Sequence, residues 1–72
     1  MKIIKLLRQE KNISQNKLAR IAGISQSLLS DIESDKVSPT IDKLKSISQA
    51  LQVPVSKLLE LDETDSTQKE VV

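Results

Sequence analysis

Residues 14 to 33 read SQNKLARIAGISQSLLSDIE, and this stretch decides the fold. Ser14 stands where a helix N-cap belongs, and Leu18, Ile21 and Ala22 follow as the apolar face of a helix. Ala19 leaves room for close approach by a neighbouring helix. Gly23, the only glycine in the chain, falls where a helix end needs a left-handed residue. Ile24 turns back toward a core, and Ser25 caps a second short helix that runs to Glu33. Two short helices joined by a tight glycine-containing turn make a helix-turn-helix unit, whose second helix is the one that enters a DNA major groove.

The second helix divides cleanly when each residue is turned by about 100°. With Gln26 at 0°, Ser30, Ser34, Ser27 and Asp31 fall at about 40°, 80°, 100° and 140°, and Leu28, Leu29 and Ile32 between about 200° and 300°. One face is apolar, and the other carries Gln, Ser and Asp without Lys or Arg. Ser and Asp compete for backbone hydrogen bonds and weaken a helix interior, so solubility alone favours Lys and Glu there. Short hydroxyl and amide groups suit base edges read at close range: Gln pairs bidentately with adenine, Ser serves either partner, and Asp accepts from cytosine N4. The same face also fits a plain surface helix of low propensity, held by its apolar side.

Working outward, Ile3, Ile4 and Leu7 recur at helical spacing in a first helix that ends near Lys11-Asn12. SDKVSP, residues 34 to 39, reads as a loop. Thr40 caps a fourth helix with the stripe Ile41, Leu44, Ile47 and Leu51, and Asp42 lies in its first turn, where the helix dipole favours a carboxylate. Val53-Pro54 breaks the pattern, and Val55, Leu58, Leu59 and Leu61 make a short fifth helix. The expectation is an all-α domain of five helices over residues 1–61, followed by an acidic, disordered tail over 62–72. The apolar residues of the fifth helix either close the core or offer a patch to a twin subunit.

Composition bounds the function. The 72 residues suffice for one small domain, and with no aromatic residue the core rests on Leu, Ile and Val. Cysteine and histidine are both absent, which leaves no disulfide framework, no usual zinc site and no Ser/His or Cys/His nucleophile pair. No cofactor is expected. Ser14-Gln15-Asn16-Lys17 fits the S-x-x-K pattern of some acyl-transfer enzymes. Ser14 is better explained as a helix cap, and the chain lacks oxyanion glycines, so the expectation is no enzyme. No apolar run approaches the roughly 20 residues of a membrane span, and MKIIKLLRQEK carries Lys and Arg through its apolar part and so does not read as a signal peptide. The expected location is the cytoplasm. The net charge of +1 hides an asymmetry: ten Lys/Arg against six Asp/Glu over residues 1–61, one against four over 62–72. A basic body invites a polyanion.

The motif S-Q-x-x-L-A-x-x-A-G-I-S at 14–25 is followed by S-x-I-E at 30–33, P-T-I-x-x-L at 39–44, A-L-x-V at 50–53 and S-x-L-L at 56–59. Together these resemble the phage-repressor and Cro-like helix-turn-helix family, often called XRE-like, over about residues 2–60. The resemblance implies a lambda-repressor-like five-helix domain of a transcriptional regulator that binds double-stranded operator DNA, usually as a homodimer, in a bacterial or phage setting. It implies base reading by Gln26, Ser27 and Asp31, with Ser30 beside them. Gln15 matches the position that touches a phosphate and braces the first reading residue. Ser34, Lys36 and Thr40 match the phosphate-contacting loop and next helix start, and Arg8 and Glu33 match a structural ion pair. By position, Lys17 and Lys43 join Lys36 as phosphate neighbours, whereas Lys2, Lys45 and Lys57 read as solvated surface. The sequence departs from the pattern at Ser34-Asp35, where many members have Asn-Gly, and at Asp31. Both acids lower affinity for a phosphate backbone.

Repression by blocking polymerase is one expected outcome, and activation by touching it is equally compatible. A rival reading is a protein-interaction role: the same fold serves as the antitoxin of toxin–antitoxin pairs, and the tail DETDSTQKEVV can fold onto a protein partner. A single-stranded nucleic-acid role fits poorly, because stacking platforms need aromatic rings.

Overall fold

Three hydroxyl side chains start three of the helices. Ser14 Oγ accepts the Lys17 N–H at 3.0 Å, Ser25 Oγ the Leu28 N–H at 3.0 Å, and Thr40 Oγ1 the Lys43 N–H at 3.2 Å. These bonds satisfy donors that the first turn of a helix leaves open. The computed structural model describes residues 1–61, and within them the order is α1 (Lys2–Glu10), α2 (Gln15–Ala22), α3 (Gln26–Glu33), α4 (Ile41–Leu51) and α5 (Val55–Leu61). The fold is all-α, with no strand among the described residues. The expected acidic tail over 62–72 lies outside them.

The helices also end alike. A left-handed residue follows each of the first four: Asn12 (φ 59°), Gly23 (φ 73°), Asp35 (φ 64°) and Gln52 (φ 62°). The next N–H in each case reaches a carbonyl five residues back: Ile13 to Arg8, Ile24 to Ala19, Lys36 to Asp31 and Val53 to Ser48. This is the Schellman closure, which normally places an apolar residue just past the turn. Ile13, Ile24 and Val53 obey and pack on the core. Lys36 does not, and its side chain is exposed.

Ile4, Leu18, Leu29, Ile32, Ile47, Leu51 and Leu58 are fully buried and come from all five helices. α2 packs on both α3 and α4, α1 on α3, and α5 on α1 and α4. No buried side-chain nitrogen or oxygen among the described residues lacks a hydrogen-bond partner.

Two apolar expectations need correction. Ile21 is 53% exposed. The buried face of α2 is Leu18, Ala19 and Ala22, and Ile21 lies about 100° from its centre at 100° per residue. Ile41 is 64% exposed: it shares a side of α4 with the buried Ser48 but is the first residue of the helix, at the end of the face that Leu44, Ile47, Ser48 and Leu51 bury. For α5 both expected outcomes occur: Leu58 is fully enclosed in the core, and Leu59 and Leu61 are exposed as an apolar patch. Leu59, Ile41, Val37 and Pro39 line an open groove with Met1 and Leu44.

Candidate nucleic-acid interface

The site is built on the first two turns of α3. Ser25 caps that helix, and no acidic residue occupies its first turn. Leu29 and Ile32 anchor its inner face, and Leu28 packs partly against the core. Gln26 and Ser27 are left exposed on the outer face, with Ser30 and Asp31 half-buried one turn on. These four residues and Gln15, from the start of α2, line one open concavity. The structure thus brings together the residues expected to read bases. The positive end of the α3 dipole lies at the edge of this surface.

Gln15 links that surface to the interior. Its Nε2 donates to Glu33 Oε1 at 3.0 Å, and its Oε1 accepts from Gln26 Nε2 at 3.3 Å. Glu33 is in turn held by Arg8: Nε donates to Oε2 at 2.8 Å and Nη2 to Oε1 at 3.3 Å. Arg8 Nη1 donates to the Ile13 carbonyl at 2.9 Å. The side chains of Arg8 and Glu33 are 11% and 4% exposed, so the expected ion pair exists and lies inside the fold. A two-pronged contact of this kind fixes geometry as well as charge.

The residues expected near phosphates spread around this core. Lys17, Lys36 and Lys43 are exposed on α2, the α3–α4 loop and α4. The hydroxyl of Ser34 is engaged, donating to the Ser30 carbonyl at 2.8 Å. Thr40 spends a lone pair on its helix cap and keeps its proton for an outside acceptor. Asp35 does not stand uncompensated: its Oδ1 accepts from the Met1 amino group at 2.6 Å, and that amino group also donates to the Ile32 carbonyl. Ser14, the first residue of the S-x-x-K string, accepts from the Lys17 backbone as a cap.

One residue escaped the sequence reading. Lys5 lines a second concavity with Arg8, Gln15, Ser30, Glu33 and Ser34, beside the base-reading surface. It lies three residues before Arg8 and so shares its helix face, which was the available signal. No helix among the described residues is long and apolar enough to cross a membrane.

The helix-turn-helix family profile HTH_3 matches residues 4–58. The immunity repressor protein of Bacillus phage phi105 is 38% identical over 56 residues, covering 78% of this chain and 39% of that protein. The HTH-type transcriptional regulator SinR of Bacillus licheniformis is 44% identical over 64 residues, covering 86% and 58%. SinR of Bacillus subtilis is 41% identical over 58 residues, covering 79% and 52%. The match therefore covers less than two thirds of each of these relatives, from 39% to 58%.

Proposed function

Because the chain belongs to the helix-turn-helix family, we propose that it is the DNA-binding domain of a transcriptional regulator, reading double-stranded operator DNA with α3. The observation that carries the reading is the exposed Gln26–Ser27 edge of α3, capped at its N-terminus and fixed in angle by α2. Gln26 and Ser27 contact base edges, with Ser30 and Asp31 one turn deeper. Lys5, Lys17, Lys36 and Lys43 supply phosphate contacts, which carry affinity without sequence information. Thr40 and the second N–H of Gln15 add neutral phosphate donors, and Ser34 closes α3 rather than reaching outward. Regulation is repression in this reading, in keeping with the name of the phi105 relative. No enzymatic step is assigned, and the site of action is the cytoplasm.

We further propose that the chain acts as a homodimer. Its two recognition helices then enter successive major grooves about 34 Å apart. The exposed apolar residues Val37, Ile41, Leu59 and Leu61 favour burial against a second protein surface. They equally favour a heterologous partner, as an antitoxin-type role requires. Size measurement of the free chain separates the two.

The decisive experiment is selection of bound duplexes from a random pool at one physiological salt concentration, with Gln26→Ala in parallel. The expected result is a palindromic motif in which one base pair per half-site loses its preference on substitution. Recovery of no motif refutes base reading by this chain.

A further inference from the structure

We propose that the Glu33 carboxylate sets the hydrogen-bond polarity of the Gln26 amide through Gln15, and thereby selects adenine over guanine beneath Gln26. The inference rests on the base-reading role of Gln26 and adds a buried residue that never touches DNA.

A carboxylate offers acceptors only. Glu33 Oε1, already held by Arg8 Nη2, takes a hydrogen bond from Gln15 at 3.0 Å, so the Gln15 group facing it must be the amide NH2. The Gln15 carbonyl is then forced outward. It faces Gln26, which must answer with its own NH2, as it does at 3.3 Å. Each amide in the chain could sit either way on its own. The acceptor-only group at the inner end removes that freedom from both.

The consequence lies at the outer end. One Gln26 N–H is consumed by Gln15, leaving one N–H and the carbonyl to face the groove. That pair matches adenine, whose N7 accepts and whose N6 amino group donates. With the relay reversed, the Gln26 carbonyl is tied to position 15 and both N–H donors face outward. That arrangement matches guanine, which presents N7 and O6, two acceptors. Glu33 is therefore a positioning residue whose effect is read as base identity.

Two variants disturb the relay from different ends. In Arg8→Met combined with Glu33→Met, the acceptor-only group is gone and the Gln15 and Gln26 amides are free to sit either way. In Gln15→Lys, the ammonium donates both to Glu33 and to the Gln26 carbonyl. Duplex selection at one fixed salt concentration is run with the wild-type chain, Gln26→Ala, Gln15→Lys, Gln15→Lys combined with Gln26→Ala, and the double methionine variant, with a thermal melt of each. The wild-type chain is expected to prefer adenine at one position by about tenfold over guanine. Gln26→Ala flattens that position. Gln15→Lys shifts the adenine-to-guanine ratio by about tenfold or more toward guanine. The double methionine variant brings the ratio toward one, and both leave the other positions of the motif unchanged. A lysine acting merely as an extra phosphate contact raises affinity for all sequences alike and does not move the ratio. A guanine preference that persists when Gln15→Lys is combined with Gln26→Ala comes from the lysine itself and overturns the relay. Should the double methionine variant fail to fold, Gln15→Lys decides, because its side chain lies at the surface end of the chain of bonds. A Gln26-dependent motif that keeps adenine in Gln15→Lys overturns the relay alone. A wild-type chain that selects no motif, or a motif indifferent to Gln26→Ala, overturns the base-reading proposal and the relay together.

Discussion

The backbone N–H of Lys36 donates to the Asp31 carbonyl at 2.9 Å, closing α3 by the same five-residue reach that closes α1, α2 and α4. At the other three ends the residue in this position is apolar and turned into the core. Here it is an exposed lysine at the rim of the recognition helix. Packing energy has been given up for a cation. Lys36→Ala is expected to leave stability within about 0.5 kcal/mol, since no core contact is lost. It should weaken cognate and scrambled DNA equally and reduce the slope of log affinity against log salt by about one. Binding titrations at several salt concentrations check both statements.

The Arg8–Glu33 pair lies inside the fold, so removing one partner strands the other. Arg8→Met and Glu33→Met should each cost about 3 kcal/mol, because an uncompensated buried charge remains. The double substitution should cost clearly less than the sum, since two apolar side chains of similar volume leave no charge behind. Urea unfolding of the three variants closes the cycle, and additive costs would refute a coupled pair.

Left-handed positions separate by residue type. Gly23 has open space where a Cβ would go, so Gly23→Ala meets no clash and its expected cost of about 1 kcal/mol is backbone strain alone. Gln52 occupies the same region with a side chain. Gln52→Gly should therefore stabilise the domain by about 0.5 kcal/mol, the relief of strain exceeding the entropy of the new glycine. Thermal melts of the two variants should shift in opposite directions.

Neighbouring leucines on α5 differ in the same way. Leu58 is fully buried and Leu59 exposed. Leu58→Ala should cost about 2–5 kcal/mol through the cavity it leaves. Leu59→Ala should stay within about 0.5 kcal/mol in the monomer. If Leu59 lies in a dimer interface, its substitution instead lowers the melting temperature and flattens its dependence on protein concentration. Melts at two concentrations distinguish the cases.

The caps Ser14, Ser25 and Thr40, the break at Gly23 and the two-faced pattern of α3 were all legible in the sequence. Each is a local matter: one hydroxyl satisfies one nearby N–H, one glycine permits one backbone angle, and a 3.6-residue period sorts a helix into faces. Five helices and their approximate limits follow from these alone. The Gln26, Ser27, Ser30 and Asp31 face was legible for the same reason.

What the tertiary structure decided is everything that depends on where one helix meets another. Ile21 and Ile41 carry the same side chain as Ile32 and Ile47, yet only the latter two lie under a neighbouring helix. The spread of a helix face is local, but its centre is set by the partner it packs against. Leu58 and Leu59 are likewise equivalent until α1 and α4 cover one of them. The junction of Glu33 with Arg8 and Gln15, separated by 25 and 18 residues along the chain, was anticipated in part through a family resemblance. The direction in which its hydrogen bonds run belongs to the folded chain alone, because it requires an acceptor-only carboxylate to be packed within reach of an amide from another helix.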